Sequence, residues 1–263
     1  MSTRSSATGT FTPAPGAAPF LRQVRVQALM ETRLLLRNGE QLLLAVVIPV
    51  LALVGGVLAA SRLGLDIGDR PVDVLAPGVL ALAVMSTAFT SLAIATGFER
   101  RYGLLKRLGA SPLPRSGLLL GKALALLVVE VLQAVVICAV TFGLGWQPHA
   151  GPVGVLLVLA GALLGTLAFA ALGLALAGTL RAEATLAAAN LVYLLLMMGG
   201  GVVLPLSSYG AAGDAIAFLP SAGLGEVLRQ ALMHGTADGL GFLVLTVWAA
   251  LGAVLASRSF KWE

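Results

Sequence analysis

Five stretches of the chain carry no Asp, Glu, Lys or Arg: Gln41 to Ser61 (21 residues), Val74 to Phe98 (25), Val131 to Leu180 (50), Ala184 to Gly213 (30) and Gly239 to Ser257 (19). A helix needs about 20 apolar residues to cross the hydrocarbon core of a bilayer, so each stretch is long enough for a crossing. The longest holds Gly145, Trp146, Gln147, Pro148, His149, Ala150, Gly151 and Pro152 at its middle, and this octet reads as a turn between two crossings. The pattern predicts six spans, at about 41–60, 74–97, 118–145, 153–180, 184–204 and 239–257. An even number puts both termini on one side.

Composition agrees. The 263 residues are 58% hydrophobic, 6% aromatic and only 11% charged, with a mean hydropathy of +0.96, against roughly 25% charged in soluble domains. A soluble globular protein is excluded. Basic residues divide unevenly. Arg4, Arg22, Arg25, Arg33, Arg37, Arg100, Arg101, Lys106, Arg107, Arg115, Lys122, Arg181, Arg258 and Lys261 fall on one side, and Arg62, Arg70 and Arg229 on the other. Cytoplasmic loops hold the excess of Lys and Arg, so both termini are expected in the cytoplasm and the protein in the cytoplasmic (inner) membrane. This bias, with attraction to anionic membrane lipid, accounts for the net charge of +5. No basic stretch alternates with aromatics, so no nucleic-acid partner is expected. The single cysteine, Cys138, lies within the third span and is read as inert. Residues 1–19, rich in small residues and proline, are read as a disordered cytoplasmic tail.

Between tail and first span, residues 20–40 predict an amphipathic interfacial helix. Arg22, Arg25, Arg33 and Arg37 gather on one arc, and Leu21, Val24, Ala28 and Leu35 lie roughly opposite. The loop after the second span reads Phe98-Glu99-Arg100-Arg101-Tyr102-Gly103-Leu104-Leu105-Lys106-Arg107-Leu108-Gly109-Ala110-Ser111-Pro112. Phe98, Tyr102, Leu105 and Leu108 recur at helical spacing, and Gly109 with Ser111-Pro112 ends the pattern. Periodicity alone leaves two readings open: a short helix that takes force from a soluble partner, or a solvated basic loop.

The loop resembles that of type-2 ATP-binding-cassette (ABC) exporter permeases, drug-resistance-type subfamily, whose pattern runs Glu-Arg-x-x-Gly-x-Leu-Lys-Arg-Leu, then Ser or Thr with Pro-Leu, then Gly-Lys. Glu99, Arg100, Gly103, Leu105, Lys106, Arg107, Leu108, Ser111, Pro112, Leu113, Gly121 and Lys122 match it. Gly200 to Pro205, Leu219-Pro220, Leu228-Arg229 and Gly235 resemble later elements of the same subfamily. Arg101 departs, standing where many members carry a second acid. The resemblance implies an all-α polytopic fold of residues 41–263, a coupling helix between spans 2 and 3, and re-entrant external helices between spans 5 and 6. It implies a complex of two permeases, identical or paralogous, with two cytoplasmic ATPase subunits that bind ATP and Mg. Phe98, Glu99, Arg100, Tyr102, Gly103, Lys106, Arg107 and Pro112 would couple to the ATPase. Met85, Thr87, Thr90, Glu130, Asn190, Tyr193, Met197 and Met198 become candidates for the pathway, with ordinary packing as the alternative for each.

No catalytic, metal or cofactor-binding residues are expected in this chain. Gly117-Leu118-Leu119-Leu120-Gly121-Lys122-Ala123 is one residue short of a phosphate-binding loop and lacks its Ser or Thr, so it reads as tight helix packing beside an interfacial lysine. Glu130, the acid well inside a span, is expected to hydrogen-bond Gln133 or a neighbouring span, or to serve the substrate path. Gly161 with Gly165 and Gly173 with Ala177 would let the fourth span approach a neighbour closely. The resulting expectation is the permease of an ATP-driven exporter of an amphipathic or lipid-like small molecule. The alternatives are an ion-coupled secondary transporter, which needs coupling-ion ligands near midplane, and a membrane-embedded enzyme, which needs clustered ligands that the sequence does not display.

Overall fold

The computed structural model describes residues 16–63 and 70–259, and of residues 40–44 and 63 the backbone alone. Residues 1–15 of the expected tail, with Arg4, and also Lys261 lie outside the described residues. Every regular element among them is helical: α1 (Phe20–Arg37), α2 (Gly39–Leu63), α3 (Pro71–Met85), a π-helical turn (Ser86–Ser91), α4 (Leu92–Arg101), α5 (Leu104–Gly109), α6 (Arg115–Gly143), α7 (Gly151–Thr179), α8 (Ala182–Gly199), a 3₁₀ segment (Leu206–Ala212), α9 (Gly213–Ile216), α10 (Pro220–His234) and α11 (Gly239–Ser259). Among the described residues, six helical stretches are long and apolar enough to cross a membrane: α2, α3 through α4, α6, α7, α8 and α11.

The second of these forms the centre of the bundle. It is 83% buried, against 22–33% for the other five, because α2, α6, α7, α8 and α10 all pack on it. Glycines set the closest approaches. Gly173 of α7 meets the π turn at the carbonyl of Phe89, where a Cβ would stand 2.8 Å away. Gly161 and Gly165 receive Val227 and Leu224 of α10, not another span. This helix is buried along nearly its whole length and packs on α3, α7 and α11.

The fifth span ends at Gly199 rather than near 204. Beyond it, residues 200–204 run without helix and are pressed between two glycines. A Cβ on Gly78 would meet Val203 O at 2.4 Å, and one on Gly225 would meet Val202 O at 2.8 Å. The freed carbonyls find donors on α10: Ser221 Oγ bonds Gly200 O at 2.7 Å and Arg229 Nη2 bonds Val203 O at 3.1 Å. Irregular backbone at such depth needs partners of this kind. Arg229, expected on the external side within the re-entrant segment, is buried and paired with Glu226 at 2.7 Å, while burial lowers its guanidinium pKa.

Candidate functional site

At the end of the bundle that carries α1, three consecutive residues at the close of α4 hold three different neighbours. Glu99 Oε1 lies 2.7 Å from Lys122 Nζ of α6, and the same ammonium lies 2.9 Å from Glu31 Oε1 of α1. Gln27 Nε2 donates to that Glu31 oxygen at 2.8 Å. Arg100 turns to the end of α7, donating to Ala177 O (2.8 Å), Gly178 O (2.7 Å) and Leu180 O (3.1 Å). These are orphan carbonyls of a helix C-terminus, where a cation is doubly favoured by hydrogen bonding and by the helix dipole. Arg101 pairs with Glu183 at the start of α8.

The two sets of contacts differ in strength. Lys122, Glu31 and Glu99 are largely withdrawn from solvent, so removing one partner leaves a buried charge uncompensated, typically at a cost of about 3–5 kcal/mol. Arg101 and Glu183 are half exposed, and pairs of that kind contribute about 0–1 kcal/mol.

Two sequence expectations need correction here. The stripe Phe98, Tyr102, Leu105, Leu108 predicts one helix, but the chain breaks at Gly103, whose φ of +69° is left-handed and suits glycine. Two helices result, α4 and α5. Leu105 is buried and Phe98 stacks on Tyr102 at 6.1 Å between ring centroids. On α1, the face turned to the protein is Val24, Gln27 and Glu31, whereas Leu21 is 79% exposed. The arginines of the polar arc stay exposed, while Gln27 and Glu31 pack inward because Lys122 waits for them and because α6 has no side chain at Gly121, where a Cβ would stand 2.6 Å from Gln27 Cγ. Gly117 and Gly121 thus serve helix packing.

Glu99 and Arg100, placed by the resemblance among the coupling residues, are engaged within the chain. Tyr102 (71% exposed), Lys106, Arg107 and Pro112 face outward, and Gly103 forms the break between helices. Sequence reasoning missed Glu31, Gln27 and Glu183 as partners. Glu31 had a signal, being the one acid among the arginines of α1.

The pathway candidates do not form one group. Met85 and Thr87 are buried inside the single chain, and Thr87 Oγ1 donates to Gln133 Oε1 of α6 at 2.8 Å. Gln133 in turn donates to Ala45 O of α2 at 2.8 Å, so one amide joins spans 1, 2 and 3. Glu130 therefore does not use Gln133: its Oε2 lies 2.7 Å from the Thr166 hydroxyl of α7. Thr90 sits in the π turn with its hydroxyl enclosed, Tyr193 is buried, Met197 is partly buried, and Asn190 and Met198 (76% exposed) lie on the outer face of α8.

The architecture is that of a multi-pass helical membrane protein whose inter-span loop is anchored on both sides and offers an outward face at its tip. The family model of the ABC-2 type transporter matches residues 22–233, from α1 through nearly all of α10. The chain belongs to this family and is the membrane-embedded permease component of an ABC transporter. Permeases of the family generally work with ATPase partners. No curated protein matches the chain.

Proposed function

We propose that the chain is the translocation subunit of an ATP-driven exporter, in which two permeases and two cytoplasmic ATPases carry an amphipathic or lipid-like small molecule outward across the cytoplasmic membrane. The observation that supports this is the double anchoring of residues 99–101. A displacement of the α4–α5 corner reaches α1 and α6 through Lys122, α7 through Arg100 and α8 through Arg101. Motion of a soluble partner can perform work on the spans only through such a stiff connection. Tyr102, Lys106, Arg107 and Pro112 form the ATPase-facing surface, while Glu99 and Arg100 transmit. ATP and Mg bind the partner ATPase, not this chain. The 14-to-3 division of basic residues supports placing this end in the cytoplasm. The scarcity of charge along the spans suits a cargo of low polarity, such as an amphipathic drug of the kind the drug-resistance-type subfamily moves, or a lipid.

Affinity capture of the tagged protein from its native membrane tests the reading. The expected result is co-purification of an ABC ATPase, weakened in a Tyr102→Ala, Lys106→Glu, Arg107→Glu variant. Reproducible recovery of the permease alone, with no native ATPase able to bind it, would overturn the reading in favour of an ion-driven transporter.

A further inference from the structure

A hydroxyl has one hydrogen to give and two lone pairs with which to accept, so a threonine held between two oxygens makes a full donor bond to only one of them. Thr166 of α7 is so held. Its Oγ1 lies 2.8 Å from Ala162 O, one turn back on its own helix, and 2.7 Å from Glu130 Oε2 of α6. Glu130 is 8% exposed and Thr166 1%. Each is the sixteenth of the 29 residues of its helix, so the two meet near mid-depth in the membrane.

Nothing beside Glu130 balances a charge. Of the elements packed on α6, α7 and the π turn contain no charged residue, while α2 and α3 have theirs at the helix ends, at Glu40, Arg62 and Asp73. On the α1 side the nearest cation is Lys122, eight residues down α6 and thus about 12 Å along the axis, and it is already engaged by Glu31 and Glu99. Glu130 Oε1 is enclosed without a hydrogen-bond partner among the described residues. A carboxylate here would have one hydrogen bond and no counter-charge in a medium that solvates ions poorly. A carboxylic acid needs only an acceptor for its own hydrogen. Thr166 Oγ1 supplies that acceptor when its hydrogen goes to Ala162 O, the usual back-bond of a threonine within a helix.

We propose that Glu130 and Thr166 form a closed binding site for one proton, in which protonated Glu130 Oε2 donates to Thr166 Oγ1 and Thr166 donates to Ala162 O, and that Glu130 is therefore a site of modification by lipid-soluble carbodiimides. The relay runs in one direction and leaves no hydrogen in it unused. It ties the third span to the fourth at mid-depth through a proton that is kept, whereas an acid coupled to an ion gradient must release its proton to one side. The inference depends on the spans and not on the ATPase.

Hydrocarbon begins one residue away, since Val131, Leu163 and Leu167 are exposed, and a carbodiimide dissolved in lipid reaches the acid from that side. The O–H adds across one C=N bond: the carboxyl oxygen bonds to carbon, the proton passes to nitrogen, and acyl transfer to nitrogen leaves a stable N-acylurea with no further reactant. A carboxylate has no proton to contribute.

The test is treatment of native membranes with dicyclohexylcarbodiimide and peptide mapping by mass spectrometry, made on the parent chain so that no variant has to fold. The expected result is an adduct at Glu130, equal in mildly acid and mildly alkaline buffer and absent with a water-soluble carbodiimide. Infrared spectra in an ester-free detergent are expected to show a carboxylic-acid C=O band that is missing from Glu130→Gln and shifted upward in Thr166→Val, where the acid has lost its acceptor. No adduct, or no such band, would overturn the proposal by leaving Glu130 ionised. An adduct that fades as the buffer turns alkaline would overturn it by making the proton exchangeable, and modification by the water-soluble reagent would do so by placing Glu130 on a wet path.

Discussion

Lys122 Nζ stands 2.7 Å from Glu99 Oε1, joining the first turns of the third span to the last turn of the second through a contact from which water is nearly excluded. Lys122→Met leaves Glu99 and Glu31 facing each other unneutralised. The variant is expected to lose about 3–5 kcal/mol, read as an early unfolding transition of the purified protein in detergent. The triple variant Lys122→Met, Glu31→Gln, Glu99→Gln should recover most of that loss, since no charge is then left buried. Parent-like unfolding of the single variant would show that the cluster does not bind α1 to the bundle.

Neighbouring arginines are expected to rank in a definite order. Arg100→Ala strips three carbonyls at the end of α7 of a charged donor and should cost about 1.5–3 kcal/mol. Arg101→Ala removes an exposed pair and should cost about 0–1 kcal/mol. The same unfolding measurement on both variants decides it, and the reverse order would contradict the assignment of Arg100 as the anchor.

Thr87 and Gln133 form a unit with the Ala45 carbonyl, so their substitutions should not add. Gln133→Leu orphans a buried hydroxyl and a buried carbonyl, at about 1–3 kcal/mol. Thr87→Val in the same background should cost little more, because its partner has already gone. A double-mutant cycle measures the coupling, and strict additivity would mean the two side chains do not interact.

Two glycines offer a contrast in space alone. A Cβ at Gly78 runs into the Val203 carbonyl at 2.4 Å, while one at Gly55 meets nothing within 4 Å. Gly78→Ala should destabilise by about 1–3 kcal/mol. Gly55→Ala should be neutral or stabilising, by up to about 1 kcal/mol from helix propensity. Equal effects at both sites would remove the case for a tightly pressed segment at residues 202–203.

The number of spans was legible because insertion in a bilayer depends on continuous runs without charge, and that property is local. The contacts that organise the site are not local. Gln27 and Glu31 look misplaced on the protein face of α1 until Lys122, far along the chain, is brought beside them. The break at Gly103 escaped the helical periodicity of Phe98, Tyr102, Leu105 and Leu108 because a pattern of side chains does not register backbone φ. For Glu130, the sequence left two partners open, Gln133 on its own helix or a neighbouring span; that amide is committed to Thr87 and Ala45, and the acid meets Thr166 of the fourth span. The outward residues Lys106 and Arg107 were singled out by motif and Tyr102 by its place in the loop that the resemblance covers, whereas the inward engagement of Glu99 and Arg100 needed three-dimensional neighbours.

The central position of the second span also bears on how the protein is made. Of the elements that enclose this helix, only α2 precedes it in the chain; Gln133, Phe169, Val203 and Leu224 are all synthesised later. When the second helix leaves the ribosome it has lipid where it will later have protein. Its mean hydropathy of 1.9 suits it to wait there, so insertion and assembly are separate stages. Each later helix then takes the place of lipid around it, and truncations ending after α6, α7, α8 and α10 would show the middle of the molecule becoming progressively sheltered, an early helix being among the last to be finished.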